Sequence, residues 1–215
     1  MTAADTGTVL IIFARVPCPG AVKTRLIPLL GADGAAALHA RLIERTAETA
    51  RAALFSRIEL HGTPSIDDTF FRSCAENFTV ALRAQAGGNL GARMFAAFES
   101  ALAVHSRVLL AGSDCPALTA EHLRKADRSL RDGADAVLVP CEDGGYALIG
   151  LRRADARLFE GIAWGTGAVM ADTRSRLKEL GWNWRELETL WDVDRPEDYA
   201  RLVASGLLDD RRARV

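Results

Sequence analysis

Residues 8–26 read Thr-Val-Leu-Ile-Ile-Phe-Ala-Arg-Val-Pro-Cys-Pro-Gly-Ala-Val-Lys-Thr-Arg-Leu. The run Thr8–Phe13 is apolar without alternation, the pattern of a strand buried on both faces of a parallel sheet. A loop with two prolines and Gly20 follows, and then Gly31–Leu54, rich in Ala, Leu, Arg and Glu. Leu38, Leu42 and Ala50 fall near one face of that segment, which reads as a long helix. Strand, loop and helix make the first half of a βα unit, and the alternation continues downstream. Arg57–His61 and Phe78–Ala84 read as strands with an acidic helical stretch between them. Asn89–Val104 reads as an amphipathic helix capped by Asn89, with Leu90, Met94, Phe98 and Leu102 every four residues.

Arg107–Ala111 is the next strand, and Thr119 caps a helix that runs to Leu130. Ala136–Pro140 and Tyr146–Leu151 are strand-like on either side of the acidic turn 141–145. Thr166–Leu180 is helical and stops at Gly181; Arg185–Trp191 is a last strand, and Pro196 opens a final helix. The chain therefore predicts one α/β domain, a three-layer α/β/α sandwich around a mainly parallel sheet. No linker divides it, and the ends, 1–7 and 209–215, are expected to fray. Its 215 residues suffice for one core.

The composition narrows the function. The formal charge is 27 − 28 = −1, which disfavours sequence-independent nucleic-acid binding. The only strongly apolar N-terminal run, Val9–Ala14, is too short to span a bilayer, and no basic segment precedes it, so neither a membrane span nor a signal peptide is expected. Cys18, Cys74, Cys115 and Cys141 are scattered, as suits reduced thiols in the cytoplasm. His39, His61, His105 and His122 show no metal-ligand spacing and read as surface or helix-end residues.

Four segments fall beyond strand ends, where parallel sheets bind ligands. The first loop gathers Arg15, Lys23 and Arg25 beside Gly20, a cluster suited to phosphate, although a solvated basic turn would look the same. It has neither P-loop nor dinucleotide-fold spacing. Leu110-Ala-Gly-Ser-Asp-Cys-Pro116 places Asp114 after a very apolar strand, where a carboxylate can hold a divalent cation or cap a turn. Asp143-Gly-Gly-Tyr146 is an acidic glycine turn, and equally a plain hairpin. Asp192-Val-Asp-Arg-Pro-Glu-Asp198 supplies acids for a helix N-terminus, with Asp194 a candidate second metal ligand.

In this order the segments resemble the GT-A-like nucleotide-diphospho-sugar transferase superfamily. More closely they are similar to small bacterial transferases called radical-SAM/selenodomain-associated, or arsenosugar biosynthesis, glycosyltransferases. The resemblance runs from Val9 to about Leu202. It rests on PCPGAVKTRL (17–26), NLGARM (89–94), GSDCPAL (112–118), DGGYALIGL (143–151), WGT (164–166) and DVDRPEDY (192–199).

The resemblance implies a Rossmann-like sheet with a nucleotide pocket at its carboxyl edge. It implies Mg²⁺ or Mn²⁺ held by Asp114 and Asp194, and phosphates contacted by Lys23 and Arg25. Arg15, Gly20, Ser113 and Arg93 complete the candidate nucleotide- and phosphate-binding set. Asp143, Tyr146 and Trp164 fall on the acceptor side, with Asp143 positioned to orient or deprotonate an acceptor hydroxyl. Lys23, Arg25 and Asp143 are the candidate catalytic groups. The implied partners are a nucleotide-activated donor and a small-molecule acceptor, and a homodimer is compatible with them. Two departures stand out: prolines occupy the first loop where nucleotidyltransferases carry a glycine-rich one, and GSDCP is not a literal D-x-D. Glycosyl transfer, nucleotidyl transfer and turnover-free nucleotide binding are the readings to separate.

Overall fold

In the computed structural model, which describes residues 7–208, β1 (Thr8–Arg15) is buried from Thr8 to Ala14. It lies inside a seven-stranded sheet, between β2 (Arg57–Thr63) and β4 (Arg107–Gly112), and is parallel to both. β3 (Ala81–Ala84) extends one side in parallel. On the other side β5 (Ala136–Pro140) and β6 (Tyr146–Leu151) form a hairpin. β6 is inserted antiparallel between β4 and β5, and β7 (Trp184–Glu186) closes the edge in parallel with β5. The order is β3-β2-β1-β4-β6-β5-β7. β6 alone runs against the rest, so the sheet is mainly parallel, as the alternation of elements predicts.

Period-two alternation along β1 divides the core. Leu10, Ile12 and Ala14 face α1 (Ile27–Ala52), α2 (Thr69–Phe78) and α4 (Ala120–Arg131). Val9, Ile11 and Phe13 face α3 (Leu90–Leu102) and α5 (Val169–Glu179) on the opposite side. Three layers result. A satellite cluster of Leu26, Leu38, Leu42, Val193 and Leu202 docks α6 (Pro196–Ser205) against α1. Asp68, Asn89 and Thr119 cap α2, α3 and α4 with side-chain oxygens, each cap worth about 1 kcal/mol.

Several boundaries differ from the sequence reading. Helical structure begins at Ile27, but Gly31 has φ 71° and breaks the helix, and that glycine is where the sequence signal starts. Phe78, read as the start of a strand, ends α2, because the Asp68 cap holds the helix and Thr79 turns left-handed after it. α5 begins three residues later than expected, at Val169. The last strand is short: β7 stops at Glu186, yet the chain stays beside β5 through Leu187 N–H to Leu138 O (2.9 Å) and Leu190 N–H to Pro140 O (2.8 Å). Thr24–Ala52 is long and apolar enough to pass as a membrane span, although Leu42, Ile43, Ala47 and Ala50 are core residues here. The termini expected to fray, apart from Gly7, lie outside the described residues.

Gly150 marks a tight point of the sheet core. A Cβ there would lie 2.5 Å from Leu109 Cδ2 and 2.7 Å from Val137 Cγ1. Gly150→Ala is expected to destabilise the fold by about 1–3 kcal/mol through overpacking. Urea unfolding measures it, and an unchanged midpoint would mean that β6 lies further from its neighbours.

Candidate active site

The carboxyl ends of β1 and β4 open into a cavity of 580 Å³. The connections after β1, β4, β5, β6 and β7 all reach it. The loop after β1 turns left-handed at Lys23 (φ 48°), which drives this side chain inward. Lys23 is 9% exposed, and its ammonium lies 2.7 Å from Asp114 Oδ1 and donates to the Val193 carbonyl at 2.6 Å. Val193 N–H in turn donates to the Asp114 carbonyl (2.9 Å), so the chain leaving β7 is tied to the loop leaving β4. Glu142 N–H bonds Leu190 O (2.9 Å), which aligns the turn after β5 with the same segment. By these bonds Asp114, Asp143 and Asp192 come to one cavity although they are distant in sequence.

Their environments differ. Burial alone would raise the Asp114 carboxyl, but Lys23, followed by His39, holds it well below the usual carboxylate range. His39 comes from α1, donates to or accepts from nothing at Nδ1, and places that atom 3.6 Å from the Asp114 carboxylate; its Nε2 lies 3.1 Å from the Arg15 carbonyl. Asp192 moves the other way: burial and the neighbouring Asp143 push it up to about 6. One oxygen each of Asp143 and Asp192 and the Cys141 sulfur lie within 4.8 Å of one another. Two carboxylates at this spacing suit a hard cation such as Mg²⁺ or Mn²⁺.

Lys23, Arg25, Asp114, Asp143, Tyr146, Trp164 and Asp194 all line the cavity. Asp194, expected beside Asp114 as a metal ligand, is ion-paired with Arg25 at the rim. Asp192, two residues earlier, is the carboxylate beside Asp143. Four expected residues lie outside the lining. Arg15 is exposed, Gly20 makes a left-handed turn with no atom near its missing Cβ, and Ser113 is buried. Arg93 lines a separate 310 Å³ cavity, where it bonds Gln85 Oε1 at 3.0 Å.

Trp164 and Tyr146 meet edge to face at 6.5 Å and form an aromatic wall. Gly91 permits this, since a Cβ there would lie 2.6 Å from the Trp164 indole nitrogen.

Sequence reasoning overlooks Asp192, His39 and the thiols of Cys115 and Cys141, all at or against this cavity. Signals existed for two of them. Asp192 and Asp194 share a side of an extended segment whose other side buries Val193. His39 stands four residues from both Ala35 and Ile43, on the buried face of α1; with the buried His61 it corrects the reading of all four histidines as surface residues.

The chain is 30% identical to a Desulfovibrio desulfuricans protein assigned to the nucleotide-diphospho-sugar transferases, covering 96% of this chain and 90% of that one with a TM-score of 0.83. The model of the family described as "uncharacterized protein conserved in bacteria" (DUF2064) matches residues 46–166. The chain belongs to the DUF2064 family. A Methanothermobacter nucleotidyl transferase shares the fold at 16% identity, covering 95% and 99% of the two chains with a TM-score of 0.65. So does Mycobacterium tuberculosis glucosyl-3-phosphoglycerate synthase, solved with Mn²⁺, UDP and glucosyl-3-phosphoglycerate (11% identity, 94% and 77% covered, TM-score 0.53). No curated protein matches in sequence. This DUF2064 chain thus has the GT-A-like fold that its sequence motifs resemble.

The raised Asp192 makes a stability prediction. The folded chain holds its proton up to about pH 6, whereas an ordinary aspartate loses it near 3.8, so between these values the native state binds more protons. This group's contribution to stability therefore increases as pH falls from 7 towards 4. Asp192→Asn should remove that dependence and stabilise the protein at pH 7.5 by on the order of 1 kcal/mol. Urea unfolding at pH 5 and 7.5 reads it, and parallel pH profiles for parent and variant would refute the assignment.

Proposed function

We propose that this protein is a divalent-cation-dependent transferase acting on a nucleotide-activated donor, and specifically a glycosyltransferase that releases a nucleoside diphosphate. The observation that carries the reading is the convergence, in one cavity beyond the sheet's carboxyl edge, of two carboxylates without a salt-bridge partner among the described residues and two cations fixed by other acids. The reduced thiols and a nucleotide donor both suit a cytoplasmic protein.

Asp143 and Asp192, with Asp114 across from them, would hold Mg²⁺ or Mn²⁺, which supplies a positive charge against the donor phosphates. Lys23 has one N–H on Asp114 and one on the Val193 carbonyl, leaving a third for a phosphate oxygen. Its ammonium is already desolvated and fixed, so it stabilises charge on the leaving group with little reorganisation. Arg25 is 61% exposed and held at the rim by Asp194, where it can exchange that carboxylate for a phosphate. Asp143 is exposed in the turn before Tyr146, and its Oδ1 accepts from Gly145 N–H at 2.8 Å, which sets its orientation. It is the group placed to orient or deprotonate an acceptor hydroxyl against the Tyr146–Trp164 wall.

A second reading, nucleotidyl transfer with pyrophosphate release, is favoured by the inward-held Lys23, which could meet an α-phosphate. Incubating the protein with Mn²⁺, nucleoside triphosphates and NDP-sugars separates the two by product: a nucleoside diphosphate supports the first, pyrophosphate the second. Absence of turnover with tight nucleotide binding would leave a binding protein. Arg25→Gln is expected to weaken donor binding by about 1.5–3 kcal/mol. Asp143→Asn should lower kcat by roughly 10²-fold or more with donor affinity retained. Equal affinity of the parent for nucleoside and nucleoside diphosphate would remove the phosphate role.

A further inference from the structure

The reading above uses the cavity's carboxylates and cations and leaves two lining residues without a task. Cys115 and Cys141 both line the cavity, both are buried and both are free thiols. Cys115 follows Asp114 directly, and Cys141 follows β5 two residues before Asp143. Cys115 neighbours Cys141 and, together with burial, pushes the Cys141 thiol well above its usual range. The Cys141 sulfur is also one of the three donor atoms within 4.8 Å that include Asp143 and Asp192.

Thiols add nothing to Mg²⁺ or Mn²⁺ binding, because these hard ions take oxygen ligands, whereas Zn²⁺ and Cd²⁺ take sulfur. Among the described residues no salt bridge reaches Asp143 or Asp192, and Lys23, already paired with Asp114, offsets the crowding of Asp192 by Asp143 only in part. A tetrahedral ion with sulfur at about 2.3 Å and oxygen at about 2.0–2.2 Å spaces its donors about 3.3–3.8 Å apart. Donors already within 4.8 Å of one another need to draw together by no more than about 1.5 Å to reach that spacing, and Asp143, exposed in its turn, has the most freedom to move.

We propose that Cys115, Cys141, Asp143 and Asp192 form a two-sulfur, two-oxygen site for a thiophilic divalent cation of the Zn²⁺ class. As the metal–sulfur bonds form, the two thiol protons pass to solvent; nothing is oxidised or reduced. The bound ion occupies both carboxylates and so competes with the hard cation, which makes it an inhibitor. This competition rests on the function proposed above, while the site itself does not.

The test uses the whole chain carrying Cys18→Ser, which removes the exposed thiol, with Cd²⁺ as the probe. Thiolate-to-cadmium charge-transfer absorption in the ultraviolet reports sulfur ligation, and Mn²⁺ electron paramagnetic resonance reports hard-ion binding in parallel. One Cd²⁺ per chain with that band is expected. Cys141→Ser and Asp192→Asn should each weaken Cd²⁺ binding at least tenfold, and Cys74→Ser should leave it unchanged. Cys141→Ser should also leave Mn²⁺ binding intact, whereas Asp192→Asn weakens both ions. Circular dichroism checks each variant, and Cys141→Ala replaces the serine variant if that one misfolds. Cd²⁺ binding without the band, or equally tight without Cys141, overturns the site. If Mn²⁺ fails to bind while Cd²⁺ follows this pattern, the hard-ion reading fails and the thiophilic site stands.

Discussion

The ammonium of Lys23 joins three parts of the chain that lie far apart in sequence. It binds the carboxylate of Asp114 after β4 and the carbonyl of Val193 beyond β7, from a loop that left β1. A lysine this buried is tolerated only with partners of this kind. Its left-handed backbone is the local cost of pointing the side chain inward. Asp114 is kept ionised by the pair, and the segment carrying Asp192 and Asp194 is held over the carboxyl end of the sheet. Charge is thus graded across one cavity: one acid compensated inside, one compensated at the rim by Arg25, and two beside each other with no salt bridge among the described residues.

Much of this was legible in the residues. β1, β4, β5 and β6 are continuous apolar runs bounded by loops, and burial on both faces leaves little freedom in reading such segments. α3 carried its cap and its four-residue period in plain view. Where the reading missed, a local device had overridden the pattern. Gly31 hid the first helical turn, and the Asp68 cap drew Phe78 into a helix although its aromatic ring suggested a strand. The direction of β6 was hidden for another reason: a strand's sequence does not reveal whether its neighbours run with it or against it.

The site was legible as a set of segments but not as a set of partners. Every quoted motif except NLGARM brings a candidate residue to the cavity lining, and NLGARM brings Leu90 and Met94 in place of the expected Arg93. Choosing between Asp192 and Asp194 required knowing that Arg25 already occupied one of them. Pairing is a three-dimensional property of charges, and a linear pattern carries it only within a turn or two of helix. The role of His39 was hidden in the same way, since its helical face was readable but the aspartate it meets belongs to another element.

The chain beyond α5 has a part in this architecture that extends past packing. It completes the edge of the sheet beside β5 and, in the same stretch, delivers Asp192 and the carbonyl that receives Lys23. A domain generally folds as a unit. The pocket therefore gains Asp192, Asp194 and the carbonyl that receives Lys23 in the same event that adds the last strand to the sheet. A chain ending before β7 would lose an edge of the sheet and two of the cavity's acids together, so the completeness of the fold and of the pocket are one property.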